Sequence, residues 1–114
     1  MRLVFLALAA AAVATPSLAA DGAKLFALQC KSCHGAKSTL MGPALDGVAG
    51  AKIAARTDFK YSAGLKAKSG TWTAANLDAY LAKPAGFAPG TRMTTAVTNA
   101  DSRKAIVDYL ATLK

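Results

Sequence analysis

The sequence predicts a small all-α domain, and three observations carry that expectation. Amphipathic helical patches alternate with loops rich in Gly and Pro, no useful length alternates apolar and polar residues with a period of two, and the C-terminal segment carries one apolar stripe at helical spacing. With 114 residues and no internal repeat or low-complexity tract, there is room for one domain only.

The elements follow in order. Arg2 precedes an apolar run from Leu3 to Ala14, Pro16 interrupts it, and Ser17-Leu18-Ala19 or Leu18-Ala19-Ala20 supplies small residues for cleavage after Ala19 or Ala20. Residues 1–20 therefore read as a secretory signal peptide. The competing reading is an uncleaved anchor, but the uninterrupted apolar stretch falls short of the roughly 20 residues that span a bilayer. Residues 21–114 form the single domain. In it, Asp21 can cap a first helix that carries Leu25, Phe26 and Leu28 and runs into Cys30. Thr73 to Lys83 gives a helix with Leu77, Tyr80 and Leu81 on one side, stopped by Pro84. Gly86, Pro89 and Gly90 then turn the chain repeatedly. A capping box over Thr98 to Asp101 opens the last helix, whose Ile106, Tyr109, Leu110 and Leu113 fall at i, i+3, i+4 and i+7.

The chemistry is concentrated in Cys30-Lys31-Ser32-Cys33-His34. Two thiols about one helical turn apart can reach the two vinyl groups of one porphyrin, and the next residue offers imidazole to the iron. A structural zinc site usually needs four Cys or His ligands. This chain has two Cys and one His in total. A thioredoxin-like dithiol is the other alternative, but it expects a β-α-β setting that the helical pattern around Cys30 does not provide. Covalent haem is the reading that uses all three side chains. It also serves a domain this small as apolar bulk and cross-link, so the apoprotein is expected to be largely unfolded. Export into an oxidising compartment would otherwise close the two thiols into a disulfide. Beyond the leader, Met41 and Met93 are the only methionines available as a sixth ligand.

These residues resemble the class I cytochromes c, the small monohaem His/Met type, over nearly all of residues 21–114. The resemblance rests on Cys30, Cys33 and His34, then Gly42-Pro43-Ala44-Leu45, Phe59-Lys60-Tyr61-Ser62, Trp72, Leu77, Tyr80, Leu81, Pro84 and Pro89-Gly90-Thr91-Arg92-Met93, in the family's order. It implies a cytochrome c fold, with three main helices plus short helices and loops wrapped around one haem c held by thioethers to Cys30 and Cys33. It further implies iron ligation by His34 and Met93, with Met41 left as a loop residue. Gly22 and Phe26 with Ile106 and Tyr109 resemble the family's crossed-helix contact. The short loop between His34 and Gly42 is similar to that of bacterial short forms; together with the signal peptide, that resemblance implies a periplasmic location.

Further roles come by the same resemblance. The Pro43 carbonyl is the expected acceptor for the second nitrogen of His34. Tyr61 and Trp72 resemble donors to a buried propionate, Tyr80 resembles the phenol near the methionine sulfur, and Thr91 serves either the loop or a propionate. Ordinary core packing is the alternative for each aromatic. One departure stands out: the family's propionate-neutralising arginine is matched here by Ala51, with Arg56 as the nearby substitute.

His/Met ligation implies a one-electron couple of raised potential with both axial positions filled, hence an electron carrier and not an enzyme. A haem subunit dedicated to one enzyme complex and a ligand-binding or peroxidatic haem protein are the alternatives, the latter requiring Met93 to be off the iron. The chain carries 14 Lys and Arg against six acidic residues, all Asp, for a formal +8, one unit less once Arg2 leaves with the signal. Lys24, Lys31, Lys37, Lys83 and Arg92 lie near segments that should frame the haem edge, where they would steer an acidic redox partner. A generic solubilising surface is the alternative. Export argues against nucleic acid, weak contact with anionic membrane is compatible with the charge, and a monomer is expected.

One departure generates a prediction. Pro84 is followed by Ala85-Gly86, where the resembled family commonly has lysines, and the place beside Met93 is taken by Arg92, which stays protonated and does not readily coordinate iron. With Lys83 as the nearest competing amine, the methionine-to-iron charge-transfer band should persist to higher pH than in lysine-rich relatives, which an alkaline titration of the ferric protein would check.

Overall fold

The computed structural model describes the backbone from residue 18 and side chains from residue 21, to residue 114. The predicted leader up to residue 17 lies outside the described residues. Five helices follow in chain order: α1 (Leu18–Gln29), α2 (Ala63–Lys66), α3 (Ala74–Ala82), α4 (Pro84–Phe87) and α5 (Ala100–Leu110). Among the described residues the only β pairing is an isolated antiparallel bridge between Lys52 and Thr71. The expected plan of three main helices plus short ones is therefore present.

Two helix starts differ from the sequence reading. Asp21 is not the cap of α1, because Leu18 to Ala20 continue the helix upstream and leave Asp21 in its first turn. A carboxylate there still complements the positive end of the helix. The cap of α5 is Asn99 and not Thr98: its side-chain oxygen accepts from the Ser102 N–H at 2.9 Å, a stronger cap than the predicted box one residue earlier. The start of α3 is as expected, with the Thr73 hydroxyl accepting from the Asn76 N–H at 3.1 Å. Pro84 does stop α3, because the residue before a proline is pushed out of helical geometry, and Lys83 sits at φ −155°, ψ 83°. It also starts α4, where a missing N–H at the first position costs nothing.

The core forms where α1 and α3 both lean on α5. Gly22 of α1 lies against the backbone of α5 so closely that a Cβ would overlap the Ala105 carbonyl and come 2.7 Å from the Tyr109 Cβ. One turn on, the Phe26 and Tyr109 rings meet with centroids 5.3 Å apart. Ile106 and Leu110 are buried, as the stripe predicts, while Tyr109 and Leu113 are only partly so. Val107, off that stripe, is buried too. The reason is that α5 is covered on two sides, by α1 and by α3, so its apolar face is wider than a single seam.

Between α1 and α3 the chain is mostly loop, held by backbone bonds instead of helices. Gly50 N–H donates to the Trp72 carbonyl at 2.9 Å, Trp72 N–H to Ala51 at 2.7 Å and Ile53 N–H to Gly70 at 3.1 Å. These bonds bury Ile53 and Trp72 at the foot of the molecule. Gly47 N–H reaches the Leu113 carbonyl at 3.0 Å and ties the same loop to the C-terminus.

The α1–α5 contact leaves no room for a methyl group and its obstacle is backbone. Gly22→Ala should cost about 1–3 kcal/mol of holoprotein stability, the range for overpacking a dense contact, read from guanidinium unfolding midpoints.

Candidate haem site

The turn after α1 builds one wall of the site. Cys30 and Lys31 N–H both donate to the Phe26 carbonyl, at 2.9 and 3.0 Å, and Cys33 and His34 N–H fold back onto Cys30, at 3.1 and 2.9 Å. This compact turn leaves Cys30 buried and Cys33 half-buried. Burial pushes the Cys30 thiol above its ordinary pKa, and the neighbouring Cys33 adds to the rise. The His34 ring donates from Nδ1 to the Pro43 carbonyl at 2.8 Å, so the Nε2 lone pair is the one available to a ligand. Gly42 makes that geometry possible, since a Cβ there would stand 3.0 Å from two atoms of the His34 ring and 2.8 Å from the Cys33 carbonyl.

A second wall comes from the segment after α4. Ala88, fully buried, donates to the Pro84 carbonyl at 2.9 Å, and Thr91 N–H closes a turn onto Ala88 at 3.0 Å. Gly64 of α2 lies beneath it, so near the Pro89 carbonyl that a Cβ would overlap it. The Tyr80 hydroxyl and the Thr91 hydroxyl are hydrogen bonded at 2.6 Å, and Thr91 Oγ1 also accepts from the Met93 N–H at 3.4 Å. Thr91 is thus engaged within the loop. Burial raises the Tyr80 phenol, with the Thr91 bond pulling partly the other way, and burial likewise raises Tyr61. Both stay protonated at neutral pH and remain able to donate.

Cys30, Cys33, His34 and Pro43 from the first wall and Tyr61, Trp72, Tyr80, Thr91 and Met93 from the rest all line a single cleft. Each haem-binding candidate named from the sequence lines it, whereas Lys24, Lys31, Lys37 and Lys83 do not. Met41 also touches its rim but is 71% exposed, and it sits beside Gly42 on the loop that carries the histidine. Met93 instead is partly buried against the core. Sequence reasoning missed much of the apolar lining, notably Leu65 and Val48. Leu65 had a signal: Ser62 caps the one-turn helix α2 by accepting from its N–H at 3.3 Å.

Arg56 reaches the cleft, but its charge is answered elsewhere. Nε and Nη2 donate to the two Asp58 oxygens at 3.0 Å each, and Nη1 donates to Asp46 Oδ1 at 3.0 Å. The fork joins two loops across the cleft's edge. It also holds the Asp58 carboxyl below the ordinary aspartate value, chiefly through the Arg56 hydrogen bond, and raises Arg56 itself through the same bond.

Two thiols able to bond the vinyl groups of a porphyrin, with an imidazole lone pair and a thioether at the same apolar cleft, fit a covalently attached haem, and residues 19–114 match the family model described as cytochrome c. The chain belongs to the cytochrome c family. It is 39% identical to a cytochrome c2 of Rhodopseudomonas palustris, covering 84% of this chain and 98% of the relative. It is 38% identical to cytochrome c type-1 of Ascaris suum, covering 79% and 83%. Among solved structures, cytochrome cH from Methylobacterium extorquens superposes with a TM-score of 0.77 at 38% identity, over 82% of this chain and 97% of that one. Some relatives are longer: the chain spans 47% of the Rhodobacter capsulatus cytochrome c-type cyt cy, at 38% identity.

As a cytochrome c, the chain carries a covalent c-type haem on Cys30 and Cys33 and acts in electron transport. The site fits that group on its own terms, since both sulfur donors sit on one tight turn and the cradle glycine leaves the imidazole beside them.

The Arg56 fork gives an acid-sensitive element. Asp58 has a lowered folded pKa, so its contribution is complete above the unfolded value of about 3.8 and is lost as pH falls through the lower folded value. Acid unfolding of Asp58→Asn should therefore show a shallower stability loss below about pH 4 than the parent, with little difference between them in slope near neutrality.

Proposed function

We propose that this cytochrome c is an exported one-electron carrier of the periplasm, with His34 and Met93 as the residues that would hold its haem iron and acidic redox proteins as its partners. The observation that carries the reading is the convergence of Cys30, Cys33 and His34, on one turn, with Met93, from a distant segment, on one cleft. When bound, the haem supplies a ferric/ferrous couple. The chain's residues do the rest.

Pro43 fixes the His34 ring through the Nδ1 bond and raises the basicity of Nε2. The choice of Met93 over Met41 is favoured by burial: the first is packed in the cleft wall, the second is mostly exposed on the histidine's own loop. A thioether favours ferrous iron relative to a second imidazole, and the apolar lining disfavours the extra ferric charge, so both raise the potential. With His34 and Met93 both holding the iron, a small substrate would have no place to bind, which would favour outer-sphere electron transfer, a carrier's chemistry. Tyr61 and Trp72, both in the lining, would be the donors to a propionate, and the Tyr80–Thr91 pair orients the loop that bears Met93.

Lys24, Lys31, Lys37, Lys83 and Arg92 are all exposed and supply the positive side of an encounter with an acidic partner. Residues 1–20 serve as a cleaved signal peptide, and the domain works as a monomer. Among the described residues no helix is long and apolar enough to cross a membrane.

Met93→Ala tests the assignment. The variant should lose the methionine-to-iron charge-transfer band, show a lower potential, and bind carbon monoxide in the ferrous state, whereas the parent should scarcely respond; a parent that binds carbon monoxide at once would exclude the carrier reading.

A further inference from the structure

Arg103 belongs to α5 and lines no part of the cleft, yet its side chain is only 16% exposed. Its Nε donates to Asp78 Oδ1 of α3 at 2.8 Å, and its Nη1 donates to the carbonyls of Val97 and Thr98, each at 3.1 Å. One guanidinium thus joins α3, α5 and the end of the segment that leaves Met93. The planar fork suits this task, because its fixed donors meet a carboxylate and two carbonyls at once. Val97 is gripped from the other side as well, its N–H donating to the Leu81 carbonyl at 2.8 Å.

Only three residues, Thr94 to Ala96, separate Met93 from that anchor, and all three are exposed. A chain that short extends at most about 14 Å from Met93 to Val97, so the position of Val97 limits where the thioether can go. Upstream, the segment is held independently by the Tyr80–Thr91 bond and the turn onto Pro84. The downstream hold combines the Val97–Leu81 backbone bond with the charge-assisted contacts of one side chain, Arg103.

We infer that Arg103 is a positioning residue for Met93: it latches the downstream side of the ligand segment to α3 and α5, and so sets how readily the thioether leaves the iron. The inference rests on Met93 being the axial ligand, as proposed above. It places control of the iron's sixth position in a residue outside the cleft.

The test is a titration of ferric holoprotein with imidazole, which competes for the sixth position, followed through the methionine-to-iron charge-transfer band. Arg103→Gln should bind imidazole about tenfold more tightly than the parent, equivalent to about 1.4 kcal/mol, while keeping the band when no imidazole is present. Arg103→Lys, which keeps the charge opposite Asp78 but not the fork, should fall between the two. Asp78→Asn should also fall between, because the carbonyl bonds survive. Lys104→Gln, which removes only the exposed pair with Asp108 on the same helix, should leave the affinity unchanged.

If Arg103 were a structural staple and nothing more, its removal would lower the guanidinium unfolding midpoint and leave imidazole affinity within about twofold, and that result overturns the latch. Should Arg103→Gln fail to mature, the Lys and Asn variants decide by the same criterion. A parent protein without the charge-transfer band would overturn the Met93 assignment itself, and the latch with it.

Discussion

The crossing of α1 and α5 through Gly22 is the contact on which the site depends. The haem-attachment turn begins where α1 ends, and its first bonds run back to the Phe26 carbonyl, so any shift of α1 moves both cysteines and the histidine together. Phe26 meets Tyr109 one turn from the glycine, which fixes the rotation of α1 as well as its distance. Among the described residues only three helices exceed four residues, so none of them forms a second framework to correct an error at this crossing.

The remainder of the cleft is made by loops, and these are rigid for local reasons. Backbone bonds between residues 50–53 and 70–72 close the foot, the Arg56 fork closes an edge, and two glycines let main chain approach where a side chain would intrude: Gly42 against His34, Gly64 against Pro89. The exposed ion pairs of Arg56 contribute chiefly register in such a setting, because solvent screens their attraction. Arg103 differs in being shielded and in bonding main chain as well as a carboxylate.

Much of this was legible in the sequence, for identifiable reasons. The Cys30–His34 motif encodes its chemistry in spacing alone, and Thr73 and Pro84 bracket α3 through local capping and steric rules that need no tertiary context. The start of α5 was misread by one residue, since Thr98 and Asn99 are both competent caps and only the observed bond to Ser102 distinguishes them. Asp21 was misread as a cap because helical residues upstream were assigned to the leader. Val107 and Leu65 escaped notice because their burial depends on neighbours distant in the chain: α3 on the far side of α5, and the cleft itself. The Arg56 and Arg103 networks are likewise tertiary facts, invisible to periodicity.

The contrast between the two methionines of the described domain has a chemical consequence. Sulfoxidation follows access, and Met41 offers its sulfur on an exposed loop while Met93 is packed against the core. An oxidant meeting the folded protein will spend itself first on Met41, a residue whose change of polarity disturbs nothing buried. A gain of one oxygen in mass would then mark ageing of the surface and say nothing about the packed thioether of Met93, which would be the later casualty.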